Sequence, residues 1–185
     1  YGIIGCVLGL FVMTVLGFTQ GMQPIAGYNF GALQLDRVIK TFKLTVTAGV
    51  CVTTAGFILC ELFPDLILSC FTTSPELIQI ASTGMRITAL MFPVVGFQIV
   101  TSNFFQSIGF PKISIILSLS RQVLILIPVV ILLSRIFGLN GVWAGGPFAD
   151  AISSLITFAV LRSQLRGMRE RAENALIRQT RAEVS

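Results

Sequence analysis

Long uncharged and mostly apolar segments follow one another along this chain, and short groups of charged residues separate them. No charged residue precedes Asp36, and residues 44–60 and 87–111 carry no charge either. The apolar positions cover all sides of a helix instead of one stripe, which is typical of helices surrounded by lipid or protein. Strands of a membrane barrel would alternate over about 10 residues, and no long stretch here alternates. The pattern therefore predicts membrane-spanning helices.

Five spans are predicted, each near the length of about 20 residues that crosses a bilayer. They cover approximately residues 2–25, 44–62, 76–108, 112–135 and 141–161. Gln23 and Pro24 are expected to break the first helix, whereas Ser74 and Pro75 have the residue types of an N-cap and first turn and are expected to start the third. Residues 1–161 are thus predicted to form the transmembrane domain of an all-α integral membrane protein, and residues 162–185 a basic tail.

Composition strengthens this interpretation. The chain of 185 residues is 54% hydrophobic and 11% charged, against about 45–50% and about 25% in soluble domains. These values exclude a soluble enzyme core, a disordered chain and a nucleic-acid-binding domain. The chain has no His, and its four Cys lack CxxC spacing, so zinc sites, His-based triads and a disulfide scaffold have no support and we expect no bound metal. We interpret the Cys as small apolar residues, and the missing initiator Met as the sign of a piece of a longer protein.

The net charge of +5 is distributed so as to set the orientation of the spans. Cytoplasmic loops carry an excess of Lys and Arg. Of the thirteen basic residues, eleven fall between spans one and two, at the start of or within span four, and in the tail, the exceptions being Arg86 and Arg135. This predicts a plasma (inner) membrane protein with residue 1 outside and a cytoplasmic C-terminus. The tail is interpreted as a topology anchor beside anionic lipid rather than a partner-binding segment, and its charge requires no nucleic acid.

Polar residues inside a bilayer are costly, so they are the first candidates for function. Asp150 follows Gly145, Gly146 and Pro147 within span five. This stretch is expected to loosen the helix and leave carbonyl groups unpaired beside a cavity. A buried carboxylate there can bind Na⁺, accept a proton or attract a cationic ligand. The alternative is a structural Asp that bonds a neighbouring hydroxyl or Arg.

Arg121 and Gln122 lie about nine residues into span four. We favour a late start of this span, with Arg121 extending its guanidinium to the cytoplasmic surface, over an inward Arg121 that pairs with an acid. Arg86 in the third span is expected to reach outward or to pair with Glu61 or Asp65.

Four polar residues form a ladder on the third span, and offsets of three and four place them on adjacent parts of one face. They are Gln98, Ser102, Asn103 and Gln106. Such a stripe suits an amphiphilic substrate and equally suits hydrogen bonds between helices, worth about 0.6 kcal/mol each.

The end of the first span has an unusual polar and glycine-rich sequence. It contains Gln23, Pro24, Gly27, Tyr28, Asn29 and Gly31. Gly27 and Gly31 form a GxxxG pair, a pattern that permits close helix approach. Alone, this sequence predicts a tightly packed helix end with a break.

At this segment the chain resembles a known family. Residues 23–32, QPIAGYNFGA, are similar to the QPIxGYNxGA stretch of multidrug and toxic compound extrusion (MATE) transporters. Further resemblances follow in order: FQSIG at 105–109 with Lys112, SRQ at 120–122 with Pro128, GLNGVW at 138–143 and PFAD at 147–150. Together they extend from about residue 17 to residue 161.

The resemblance implies twelve spans in two related six-helix lobes. This chain then corresponds to spans eight to twelve, most of the second lobe, and its partner is the first lobe of the same protein. The family exports cationic amphiphiles in exchange for Na⁺ or H⁺, so the bilayer, small cationic organic compounds and a coupling ion are implied, with no tightly bound cofactor. Asp150 matches a family position in the last span. The family's coupling acids lie partly in the first lobe and on helix seven, which this chain lacks, and a coupling role for Asp150 is a hypothesis.

Three other functions remain open at this point. A flippase of related fold for lipid-linked sugars would favour a basic cavity. A membrane enzyme would need a catalytic constellation, and none is visible. The third alternative is a non-transporting scaffold or fragment.

Overall fold

The computed structural model describes the backbone of residues 2–184 and the side chains of these residues except Leu139 and residues 169–184. The described chain is helical, without a strand. Its helices are α1 (Gly2–Gly31), α2 (Leu35–Leu62), α3 (Pro64–Ser69), α4 (Pro75–Ala89), α5 (Phe92–Ser107), α6 (Pro111–Leu119), a π-helical segment (Ser120–Leu126), α7 (Ile127–Phe137) and α8 (Leu139–Val184). The prediction of an all-α protein is confirmed.

Four helical stretches are long and apolar enough to cross a membrane. They are α1, α2, the continuous run Pro111–Phe137 and the part of α8 from Asn140 to Met168. A fifth crossing is made by α4 and α5 if the bent pair counts as one span. Five spans are therefore consistent with the structure, although one of them is broken.

The predicted single helix over residues 76–108 is wrong. It is two helices, α4 and α5, with axes bent by 51°. Pro93 lies in the first turn of α5. Proline has no N–H, and its ring clashes with the carbonyl group four residues earlier, here that of Ala89. Because α4 ends at Ala89, this clash explains where the span breaks.

The expected helix break at Pro24 is also wrong, and the stretch at Pro147, expected to loosen the last span, does not interrupt its helix. Both prolines lie inside continuous helices, α1 and α8. Membrane helices tolerate internal proline when neighbouring groups accommodate the freed carbonyl. The chain instead leaves α1 after Gly31 and turns at Leu33, which has a positive φ of 58°.

Two apolar cores lie towards opposite ends of the helix bundle. One joins α1, α2, α5 and α8 around Phe104, whose ring centroid lies 4.4 Å from that of Phe42. The other joins the start of α1 to the end of α2 and to α4 around Met85. Large apolar side chains such as Leu10, Met13 and Leu124 are exposed on the outside, as expected of a surface that faces lipid.

Close approach of α2 and α5 places α5 at the centre of the bundle. A Cβ atom added at Gly96 would lie 2.7 Å from the carbonyl oxygen of Gly49 and 2.6 Å from Oγ1 of Thr53. Only glycine fits there. Small residues at helix contacts are the usual means of close packing in membranes, and α5 thereby carries its polar ladder into the middle of the bundle.

Candidate functional site

A cavity of about 310 Å³ opens in the bundle between α1, α5, α8 and the span that contains the π-helical segment. Its apolar walls are Val12, Leu16, Ile99 and Leu117, and its polar walls are Gln98, Ser102, Asn103, Ser118, Arg121, Gln122 and Thr157. Five of the six predicted pathway residues therefore meet in or beside one cavity. The sixth, Gln106, faces a separate cavity with Pro111 and Ser118.

An ion pair lies at the wall of the central cavity. Nε of Arg121 donates a hydrogen bond to Oδ1 of Asp150 at 2.7 Å. It is the one salt bridge among the described side chains. The Arg121 side chain is 32% exposed and that of Asp150 is 11% exposed, so the guanidinium reaches the cavity while the carboxylate lies behind it. The preferred interpretation of Arg121 as a residue that extends to the cytoplasmic surface is wrong.

The π-helical segment positions Arg121. Pro128 follows it closely, and the carbonyl group four residues before Pro128 belongs to Leu124, inside the segment. Because proline can neither donate to that carbonyl nor pack against it in an α-helix, the regular hydrogen-bond ladder fails here and the helix widens. Such π-helical turns are frequent at functional sites.

Gln98 connects the polar ladder to the ion pair. Its Nε2 donates a hydrogen bond to the backbone carbonyl of Asp150 at 2.7 Å, and the side chain is buried. Its Oε1 atom is buried and has no hydrogen-bond partner in the described structure. Gln98 therefore fixes α5 against α8 at the level of the carboxylate.

Two of the other three ladder residues, Ser102 and Asn103, also bond across helices. Oγ of Ser102 lies 3.0 Å from the hydroxyl oxygens of both Ser114 and Ser118. Asn103 Oδ1 accepts a hydrogen bond from Gln23 Nε2 at 3.3 Å, linking α5 to α1. The ladder thus joins helices, one of the two interpretations that the sequence left open, and three of its four members also line the central cavity.

Sequence reasoning missed the serine pair on α6 and Thr157 on α8. Ser114 and Ser118 are four residues apart, the spacing that places two side chains on one helix face. That spacing was the available signal, since both face Ser102. Thr157 is seven residues from Asp150, about two turns along the same face of α8.

Of the two glycines in the GxxxG pair, only Gly27 lies at a close helix contact. A Cβ atom at Gly27 would lie 3.0 Å from the carbonyl oxygen of Ser107, so α1 approaches the end of α5 closely there, whereas Gly31 has open space. Tyr28 is exposed. Asn29 is buried, and its Nδ2 donates to the carbonyl of Ile25 at 2.8 Å. Gly27 and Asn29 pack within the bundle and α1 ends at Gly31, and none of these residues lines the central cavity.

Arg86 is exposed on α4. Within the side chains that the structure describes it has no salt bridge, so the suggested pairing with Glu61 or Asp65 is wrong. No three His, Cys, Asp or Glu side chains of the described part come close enough together to hold a metal ion.

Comparison with known proteins identifies the family to which this chain belongs. The family model described as MatE matches residues 1–132. The chain belongs to the MATE family. This MATE chain is 21% identical over 163 residues to the multidrug export protein MepA of Staphylococcus haemolyticus, covering 88% of this chain and 36% of MepA. It is 21% identical over 149 residues to the FAD transporter of Shewanella oneidensis, covering 80% of this chain and 33% of that protein.

Solved MATE structures have the same fold. The MATE multidrug transporter DinF-BH is 40% identical, with a TM-score of 0.81 over 88% of this chain and 36% of that one. A MATE crystal structure in complex with MaL6 has a TM-score of 0.86 at 17% identity, covering 92% of this chain and 39% of that one. The chain therefore spans little more than a third of these proteins, about one lobe of a multi-pass membrane transporter.

Proposed function

We propose that this chain supplies one lobe of a secondary antiporter that exports amphiphilic, mainly cationic, drugs or toxic compounds in exchange for Na⁺ or H⁺. The observation that carries the proposal is the cavity within a MATE lobe, lined by polar and apolar side chains, with the Arg121–Asp150 pair at its edge. In this proposal the first lobe supplies the other wall of the substrate path, and rocking of the two lobes alternates access.

Asp150 is the proposed coupling residue of this lobe. A carboxylate paired with Arg121 is neutralised, and a proton or cation that binds Asp150 weakens that pair. Ion binding would thereby alter the contact between α8 and the π-helical segment. A ligand shifts an equilibrium only through differential binding to its two states, and this contact provides such a difference.

An ethidium efflux assay on the complete transporter, with and without Na⁺ at fixed pH, tests the proposal. We expect Asp150→Asn to reduce ion-coupled export, because the carboxylate is removed while the shape of the side chain is kept. Asp65→Asn is the matched control, since Asp65 is exposed on α3, outside the cavity. Unchanged coupled export by Asp150→Asn would refute the coupling role, and no efflux by the unaltered transporter would refute the proposed substrate class.

A flippase for lipid-linked sugars is the second candidate, favoured by a specific observation. Arg121 is the one charged side chain that lines the cavity, and a basic group suits a pyrophosphate. Asp150 offsets that charge, however, and the family match concerns MATE proteins. Transport of a fluorescent lipid-linked sugar in place of ethidium would favour the flippase. No catalytic role is proposed, because the relatives are transporters.

The proposed orientation places the turn between α1 and α2 and the C-terminus in the cytoplasm of a cell whose plasma membrane holds the protein. Arg37, Lys40 and Lys43 follow that turn. A Cys introduced at Gln34 in a Cys-free background should resist an impermeant maleimide in intact cells, while one at Thr73 should react. The opposite labelling would reverse the topology.

A further inference from the structure

The cavity has the chemistry of an anion-binding site in spite of the nearby carboxylate. Arg121 lines it and Asp150 does not. The carboxylate is 11% exposed and lies behind a guanidinium that is 32% exposed. A ligand in the cavity therefore meets the positive member of the pair first.

Arg121 retains most of its hydrogen-bonding capacity. A guanidinium has five N–H donors, and the described structure gives only Nε–H a partner, Oδ1 of Asp150. The two terminal nitrogen atoms remain available. Their planar arrangement matches a carboxylate or phosphate, which accepts two parallel hydrogen bonds.

Neighbouring side chains add hydrogen-bonding groups and no negative charge. Gln122 and Ser118 line the cavity and are exposed. Asn103 and Ser102 are already bonded to other helices, which holds them in place. Other parts of the wall, among them Val12, Leu16 and Ile99, are apolar. An anionic group beside an apolar body is the ligand shape that this lining fits.

We propose that this cavity binds the carboxylate or phosphate of an amphiphilic solute through the terminal nitrogen atoms of Arg121, with Asp150 holding the guanidinium in position. The inference rests on the proposed transport function and refines its substrate class. Solutes that carry an anionic group as well as an amine or an aromatic system are bound in this lobe at Arg121. Their cationic part is contacted elsewhere in the transporter.

Two dyes that differ in one group test this inference. One is a cationic rhodamine whose carboxyl group is blocked as an ethyl ester, and the other is the fluorescent, ring-opened form of its free acid, which carries a carboxylate. Fluorescence polarisation gives the affinity of the purified complete transporter for each dye in neutral lipid. We expect Arg121→Gln to reduce the ratio of acid to ester affinity about tenfold, the effect of losing a charge-assisted contact. Arg121→Lys should restore part of it.

A second variant serves as the control for misfolding. Arg121→Gln combined with Asp150→Asn leaves no buried carboxylate without a partner and should also lower the ratio. Arg135→Gln removes an exposed Arg from α7 and should leave the ratio unchanged. An unchanged ratio in both Arg121→Gln variants, or no binding of either dye by the unaltered protein, would overturn the inference.

The source of the anionic group is tested in vesicles of phosphatidylcholine alone or mixed with phosphatidylglycerol. Retention of the acid preference with the anionic lipid supports a solute, whereas its loss would identify a lipid headgroup as the occupant and overturn the assignment to a solute. Export of both dyes is measured in parallel. Acid preference without export would contradict the proposed function alone, and export without any preference would contradict this inference alone.

Discussion

The surroundings of the Arg121–Asp150 pair predict that removing one charge destabilises the protein more than removing the other. Removing either charge leaves the other unpaired, but the two remaining charges have different surroundings. After Asp150→Asn, Arg121 still reaches the cavity, where water can hydrate it. After Arg121→Gln, the carboxylate remains at 11% exposure without a cationic partner. We therefore expect Arg121→Gln to be the more destabilising change.

The magnitude follows from the geometry. Two unit charges about 4 Å apart attract by about 4 kcal/mol at an effective permittivity of about 20, and desolvation of both groups offsets part of this. Breaking a buried pair from one side costs about 3–5 kcal/mol, whereas replacing both members is often neutral. We expect a loss of about 3 kcal/mol for Arg121→Gln, about 1–2 kcal/mol for Asp150→Asn and less than about 1 kcal/mol for the double variant.

Thermal unfolding in detergent, followed by tryptophan fluorescence, measures these differences. For a soluble protein of about 150–250 residues, about 1 kcal/mol shifts Tm by about 2–4 °C, so Arg121→Gln should lower Tm by about 6–12 °C, or less in a larger protein. Arg135→Gln is the control and should change stability by less than about 0.5 kcal/mol. Additive losses in the double variant, or a larger loss for Asp150→Asn than for Arg121→Gln, would refute the reasoning.

Three further predictions concern packing and hydrogen bonds. Gly145→Ala should destabilise the protein by about 1–3 kcal/mol, because the added methyl group would overlap Val130. Gly146 has open space around it, so Gly146→Ala should stabilise the protein by up to about 1 kcal/mol through its higher helix propensity. Equal effects of the two variants on Tm would contradict this packing. Gly96→Ala should lower the folded yield in membranes, because no space exists against α2, and a normal yield would show that α5 can move. Ser102→Ala should cost about 0.6 kcal/mol per lost contact between helices, measured as a Tm shift, and no shift would show that its two serine contacts are not stabilising.

The helices were predictable and their interruptions were not. Apolar length alone indicates where a chain crosses a bilayer, because the requirement is a property of the lipid. Proline carries less information, since its effect depends on its neighbours. Pro93 follows the end of α4, Pro128 follows a π-helical segment, and Pro24 and Pro147 change no helix assignment.

The site was predictable as a set of residues but not as a set of partners. Polarity within a span singled out Asp150, Arg121 and Gln98, because each is too costly to bury without a reason. Their pairing depends on how α5, α8 and the π-helical segment pack, which no local pattern contains. The serine pair on α6 was overlooked because single hydroxyl groups are common in membrane helices and become informative only opposite Ser102.

The π-helical segment also has a consequence for comparing this lobe with its relatives. A π-helical turn holds one residue more than an α-helical turn would, so residues before and after Ser120–Leu126 are out of phase on a regular helical wheel. An ungapped alignment with a relative whose span is α-helical throughout would assign the wrong helix face to the positions that follow the segment. Deleting one residue near Val123 would restore the phase and rotate α7 by about 100° relative to α6. Because α7 packs on α8, this rotation would move Arg121 away from Asp150, which it now contacts.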